Sequence, residues 1–391
     1  MRIVGTICGQ NEPSAVDISG GKIAAVAPLP SAPRTREQVL GGPDDLVSPA
    51  LLDIQVNGFA GHDLNGPATV SEDVAGMLES LLPTGTALCC PTVGTGPFER
   101  MAASLRAIAA ACANRRVAAA VVGIHIEGPY ISPEDGPRGA HSLEHVRNPD
   151  WDEFQRFQDA AGGRIRIVTL APERPGAIQF IERLVGAGII AAIGHTSATA
   201  EDIKAAIGAG ARISTHLGNG AHALLPRHPN YIWDQLAADE LWASIIPDGH
   251  HLPPSVVKCF VRCKGVERTV LVSDAVHLAG LKPGVYETEG RTVEFTPEGR
   301  LQLKGTPYLA GSALDLCRGV GNAVRFSGVP LAKAVRMATL NPARLLGIDS
   351  RLGSVEVGKE ASLIAFRWDE SAKTLQVRHT LLNGEVVYSA P

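Results

Sequence analysis

The sequence predicts a (β/α)8 TIM-like barrel carrying a small β-sandwich built from both termini. Three observations predict it. The middle of the chain alternates short apolar runs with amphipathic stretches roughly eight times. Polar residues able to do chemistry stand at the C-terminal ends of several of those runs, where barrel enzymes keep their catalytic groups. Both ends of the chain read instead as short strands broken by glycine turns.

Taken in order, residues 1–8 are apolar, 15–19 alternate, and 21–27 follow a Gly-Gly turn, so strands are expected there. A proline-rich, charged stretch covers 28–45. The barrel strands are expected at 51–56, 87–92, 117–127, 165–170, 189–195, 211–216, 244–248 and 269–274. Helices are expected at 70–82, 97–112, 149–161, 177–187, 200–207, 254–264 and 331–338, where Leu, Ile and Ala recur at helical spacing. Residues 353–359 read as a turn with strands, 361–366 as a strand, and 375–382 with 385–388 as a hairpin around Asn383-Gly384. The expected modules are therefore 1–48 with 345–391 for the sandwich and 49–344 for the barrel. An open doubly wound sheet is the competing architecture, but Asn57-Gly-Phe-Ala-Gly61 does not fit the GxGxxG loop it needs.

At 391 residues the chain can bury a large core. Apolar residues make up 45% and charged residues 19%, with a net charge of -4, so no basic face suggests nucleic acid. No apolar run approaches the roughly 20 residues of a membrane span. The first residues lack the pattern of a signal peptide, and a cytoplasmic protein is expected. The seven cysteines are irregularly spaced with no CxxC, which argues against a disulfide framework or a zinc knuckle.

The chemistry centres on Val122-Gly-Ile-His-Ile-Glu-Gly-Pro-Tyr-Ile131. His125 and Glu127 share one face of a strand that is otherwise apolar. A buried carboxylate is costly unless a cation or strong hydrogen bonds hold it. His195, His216 and Asp274 also end apolar runs. Glu127, His195 and His216 make a catalytic zinc set of two imidazoles and one carboxylate, with a position left for water. Asp274 is the expected general base and acid; a helix cap or a hydrogen-bond partner for a ligand is the alternative. Gln55 and Asn57 are neutral and bind zinc poorly, so one metal is expected rather than two. They either close the barrel end with hydrogen bonds or position a ligand. His141 could donate to a developing oxyanion. His251 or His250 could bond substrate hydroxyls. Asn219 and Gly220 belong to a loop of small residues that lets backbone N–H groups approach a ligand, and Arg227 beyond it could bind an anion or serve as a surface pair.

These pieces together resemble the amidohydrolase superfamily, and within it the N-acetylglucosamine-6-phosphate deacetylase family. The matching segments are His125-Ile-Glu-Gly-Pro129, Gly139-Ala-His141, Gly194-His-Thr196, Thr215-His-Leu-Gly-Asn219, Asp248-Gly-His-His251, Val272-Ser-Asp-Ala275 and Leu309-Ala-Gly-Ser312. The tail Ala338-Thr-Leu-Asn-Pro-Ala343 looks like the superfamily's return from barrel to sandwich. The resemblance implies metal-dependent hydrolysis of the N-acetyl amide of an amino sugar, with N-acetylglucosamine 6-phosphate as the leading substrate. It implies one divalent ion on Glu127, His195 and His216, with zinc first and iron, manganese, cobalt or nickel as alternatives. It implies a homodimer, and a sugar phosphate contacted by Ala140, Asn219, Gly220, Arg227, His251, Leu309 and Ala310.

The chain departs from the family pattern in two places. Gln55 and Asn57 stand where some members carry a His pair. The run after His216 is Gly218-Asn-Gly-Ala-His222, where the family carries an aromatic residue, Asn, Ala and Met. The alternatives are therefore a different N-acyl sugar, epimeric or without phosphate, another small amide, or a binding barrel without turnover.

Overall fold

The computed structural model describes residues 1–29, 38–288, 291–306 and 308–391. Eight parallel strands pair in chain order: β1 (Leu51–Val56), β2 (Thr86–Gly94), β3 (Ile124–Glu127), β4 (Ile165–Leu170), β5 (Ile190–Ile193), β6 (Ile213–Ser214), β7 (Trp242–Ile245) and β8 (Thr269–Leu271). The ring closes just past β8, where Asp274 N–H donates to the Gln55 carbonyl at 2.9 Å and Ala275 bridges Val56. Strands covered on both faces read as nearly continuous apolar runs, and every residue of β1 is buried. Helices pack outside on narrow stripes. In the helix Ser71–Leu81, Val74, Met77, Leu78 and Leu81 face inward at i, i+3, i+4 and i+7. No helix among the described residues is long and apolar enough to cross a membrane.

The β-sandwich draws on both ends of the chain. Its strands run in the spatial order Glu385–Ser389, Thr374–Leu382, Leu363–Asp369, Val39–Pro49, Arg2–Ile7, Pro13–Ser19 and Lys22–Pro28. The sheet curls until its ends meet: Ala361 N–H donates to the Gly21 carbonyl at 2.8 Å, and Gly384 N–H to the Ala361 carbonyl at 2.9 Å. Ile3, Val16, Ile23, Val47, Leu363 and Leu381 form a core of its own inside that curl.

Several elements differ from expectation. The strand Val39–Pro49 runs through much of the stretch read as irregular; residues 30–37 of that stretch lie outside the described residues. It forms because Arg2–Ile7 pairs with it on one side and Leu363–Asp369 on the other, which overrides the poor strand propensity of Gly41-Gly-Pro-Asp-Asp45. Residues 353–359 make turns without strands. The single strand expected over 117–127 is split. Asn114 caps the helix Arg115–Ala120 by accepting from Arg116 N–H and Val117 N–H, and the alanines continue it. A four-stranded antiparallel sheet, unread in the sequence, follows β8: Gly284–Thr288, Arg291–Phe295, Arg300–Leu303 and Leu309–Ser312. Its last strand returns to the barrel, where Ser312 bridges Ala275. The helices Tyr231–Ala237, Leu316–Ser327 and Leu340–Leu345 were also unread. Four of the seven cysteines are buried, and all seven are free.

Candidate metal centre and active site

Glu127 ends β3, while His195, His216 and Asp274 lie two or three residues beyond β5, β6 and β8, so all four reach the same rim. His195, His216 and Asp274 adopt φ values of +51°, +29° and +50°. Left-handed backbone costs a non-glycine residue roughly 1–3 kcal/mol and persists where its surroundings over-determine it. Here the strand ends turn sharply enough to aim these three side chains across the barrel mouth.

The cluster is tight. His216 Nε2 lies 2.8 Å from Glu127 Oε1 and 3.1 Å from His195 Nε2, and His195 Nε2 lies 3.1 Å from the same oxygen. His195 Nδ1 is 2.8 Å from the Pro137 carbonyl, which can only accept, so Nδ1 carries the proton of a neutral ring. Nε2 of His195 then offers a lone pair to a carboxylate oxygen and to another imidazole, an arrangement that calls for a cation between them. His216 Nδ1 is buried without a hydrogen-bond partner among the described residues, which leaves Nε2 as the engaged nitrogen. Ligand atoms at about 2.0–2.1 Å from one tetrahedral ion stand roughly 3.4 Å apart, a few tenths of an ångström beyond these separations. The donor set fits one divalent ion. His141 stands beside it: one nitrogen-or-oxygen atom each from Glu127, His141 and His195 fall within 4.8 Å of one another, and His141 Nε2 is 3.3 Å from His195 Nε2.

Burial, with His195 beside it, lowers His141 to about 3, so the ring is neutral. Burial and the nearby Glu127 carboxylate push Asp274 up to about 8, against a donated hydrogen bond from Asn57. The neutral pair at the end of β1, Gln55 within it and Asn57 just past it, holds both acids. Gln55 Nε2 donates to Glu127 Oε1 at 2.9 Å, and Asn57 Nδ2 donates to Asp274 Oδ1 at 2.8 Å. Of the two readings open for these amides, positioning is the one their geometry matches. His125, on the same strand as Glu127, turns to other partners: Ile54 O at 3.1 Å and Thr169 Oγ1 at 2.7 Å.

The expected substrate residues divide. Gly220 passes so close that a Cβ there would stand 2.6 Å from His195 Nδ1, and a cleft beside it is lined by His195, Thr196, Thr215, Asn219, Gly220 and Tyr231. Ala140 is exposed in the loop that carries His141. Leu309 and Ala310 begin the strand whose Ser312 pairs beside Asp274. His251 Nδ1 is bound to Asp248 Oδ2 at 2.6 Å at the end of β7. Arg227 is exposed, with no hydrogen bond or ion pair among the described residues, and nothing brings it to the cluster. Two groups of rim residues were missed. Glu134 Oε2 meets His222 Nε2 at 3.0 Å and joins the loop bearing His141 to the loop after His216. Glu173 accepts from Thr196 Oγ1 at 2.5 Å and Ser197 N–H at 2.8 Å. Glu173 had a signal, since it closes Ala171-Pro-Glu173 at the end of β4; Glu134 and His222 had none.

Residues 46–387 match the amidohydrolase family. An N-acetylgalactosamine-6-phosphate deacetylase of Escherichia coli O157:H7 is 35% identical over 348 residues, covering 89% of each chain. An N-acetylglucosamine-6-phosphate deacetylase of Bacillus subtilis strain 168 is 33% identical over 377 residues, covering 95% of this chain and 92% of that one. The structure superposes on the N-acetyl-D-glucosamine-6-phosphate deacetylase of Mycobacterium smegmatis in complex with N-acetyl-D-glucosamine-6-phosphate. The TM-score is 0.87 at 29% identity, covering 100% of this chain and 99% of that one. The chain belongs to the amidohydrolase family and is a hydrolytic enzyme. Within it, the chain belongs to the N-acetylglucosamine-6-phosphate deacetylase family.

Proposed function

We propose that this enzyme hydrolyses the N-acetyl amide of an amino-sugar 6-phosphate, with N-acetylglucosamine 6-phosphate as substrate, releasing acetate and glucosamine 6-phosphate. The observation that carries the reading is the convergence of Glu127, His195 and His216 on one point, with Asp274 held beside them by Asn57. A divalent ion on those three residues, which we assign as zinc, would polarise the amide carbonyl and make a water more acidic. The ion's charge would offset the burial and the Glu127 charge that raise Asp274, and the ionised Asp274 takes a proton from the attacking water, then returns one to the departing amine. His141, neutral and close to His195, donates an N–H toward the developing oxyanion. Asn219, Gly220 and Ala140 line the approach to the cluster, and His251, Leu309, Ala310 and Arg227 would meet the sugar phosphate.

A second reading concerns the sugar. The E. coli relative at 35% identity is named for the galactose epimer, as is the relative from Shewanella sp. at 34%. The test is acetate release from N-acetylglucosamine and N-acetylgalactosamine, each with and without 6-phosphate, after zinc loading. Turnover confined to the 6-phosphates is expected. Equal kinetics with free and phosphorylated sugar would remove the phosphate assignment. We further propose a cytoplasmic homodimer, divided into a sandwich module of 1–48 with 345–391 and a barrel module of 49–344. The pairing of Val39–Pro49 with Leu363–Asp369 supports that division.

A further inference from the structure

A carboxyl group that takes and returns one proton must present the same oxygen each time, a need that rests on the reaction proposed above. Asp274 Oδ1 is held by Asn57 Nδ2 at 2.8 Å. A side-chain amide can flip and exchange its NH2 for its oxygen, so something must decide which end of Asn57 faces the acid. Asn65 decides it. Its Oδ1 accepts from Gly94 N–H at 2.7 Å and from Arg100 Nη1 at 3.0 Å, and neither donor can accept. Its Nδ2 donates to the Thr92 carbonyl at 3.1 Å, which cannot donate. Three one-way partners leave Asn65 a single orientation, with an N–H toward Asn57 Oδ1 at 3.4 Å. That longest link acts through polarity. With Asn57 flipped, two NH2 groups would face each other and its carbonyl oxygen would face the Asp274 carboxylate. Arg100 is itself fixed, since Nη2 donates to the Gly94 carbonyl at 2.6 Å.

We propose that Arg100 and Asn65 are positioning residues for proton transfer, acting through Asn57 to keep Asp274 Oδ1 an acceptor and so to make Oδ2 the oxygen that carries the proton. In the first step a water O–H bond breaks as Oδ2–H forms, the water oxygen bonds the amide carbon and the carbonyl electron pair moves to its oxygen. In the second, Oδ2–H breaks as the amine N–H forms and the C–N bond is lost. Both transfers use Oδ2, so the carboxyl need not rotate between them.

Asn65→Asp tests this directly. The variant keeps its size and its acceptors for Gly94 and Arg100 but has no donor left for Asn57. In the zinc-loaded enzyme kcat is expected to fall about 10- to 100-fold, the scale on which small misplacements act, with KM within about twofold and zinc content unchanged. In protein labelled with 15N-asparagine, the Asn57 NH2 resonance, identified by its loss in Asn57→Ser, is expected to shift. Arg100→Met, which removes one of the three one-way partners of Asn65, should move kcat and the resonance in the same direction by less, and it serves if Asn65→Asp does not fold. Unchanged kcat beside a shifted resonance overturns the role in proton transfer, and an unmoved resonance overturns the orientation. If the parent enzyme releases no acetate from any of the four sugars, the proposed reaction fails, while a shifted resonance still supports the orientation.

Discussion

The barrel rim and the 218–233 loop lie next to each other and are built on opposite terms. At the rim three members of the centre have a partner that dictates where a proton sits: Pro137 for His195, Gln55 for Glu127, Asn57 for Asp274. In the loop, Leu224 is 91% exposed, Trp233 is 55% exposed and Arg227 stands in solvent. On the function proposed above, the difference separates bond-breaking from choice of substrate. The hydrolytic centre is over-determined by buried contacts that reach across the barrel. We propose that selection falls to the loop, which keeps Tyr231 buried and ties His222 to Glu134 while leaving Leu224, Arg227 and Trp233 exposed.

The widest test of the contrast is Asp274→Asn. It should leave zinc content unchanged while lowering kcat by about 10²–10⁴, the range for a general acid–base group; full activity in steady-state assays would sink the mechanism. The barrel interior offers a second, through Asp53. Burial pushes its carboxyl up to about 7 from an ordinary 3.8, although Ser273 and Gln55 donate to it. The folded state therefore holds a proton that the unfolded chain releases near 3.8, so this contribution is complete below that value and disappears as pH rises through 7. The drop is on the order of 4 kcal/mol, and urea midpoints across that window should flatten in Asp53→Asn. Where rim and loop touch, Gly220→Ala adds a Cβ at 2.6 Å from His195 Nδ1 with φ at +56°. Zinc affinity is expected to fall about tenfold, as for changes that disturb a ligand's orientation, read by chelator competition. In the loop itself, Arg227→Ala should raise KM for phosphorylated sugars by up to about tenfold, the worth of one charge-assisted contact. No change in KM would place phosphate recognition elsewhere.

The proposed centre was legible because its groups end apolar runs. Glu127 ends a buried strand and His195, His216 and Asp274 come just past one, each with a group that is expensive to bury, and that expense is visible without coordinates. Their supports were hidden for a matching reason. Gln55 meets Glu127 across 72 residues and Asn57 meets Asp274 across 217, so no local window contains either pair. Asn65 and Arg100 belong to a loop and a helix whose composition says nothing about the acid they orient. In the fold, most barrel strands and most of the outer helices were read, while the helix Leu316–Ser327 was not and the run over 117–127 was taken for one strand. The strand Val39–Pro49 was not, because two distant neighbours form it against its own propensity. The four-stranded sheet after β8 went unread because its short strands, partly exposed, carry no run as apolar as a barrel strand.

The curled sheet has a consequence for how the protein is made. Its first four strands, through Pro49, leave the ribosome long before Leu363–Asp369, the neighbour that Val39–Pro49 requires. For most of synthesis, Val39–Pro49 presents an open edge with unpaired N–H and C=O groups. The barrel is then translated while that edge waits. The last strands seal it only when nearly the whole chain has emerged, so a message truncated before Leu363 would leave an enzyme with a complete barrel and a sticky flank.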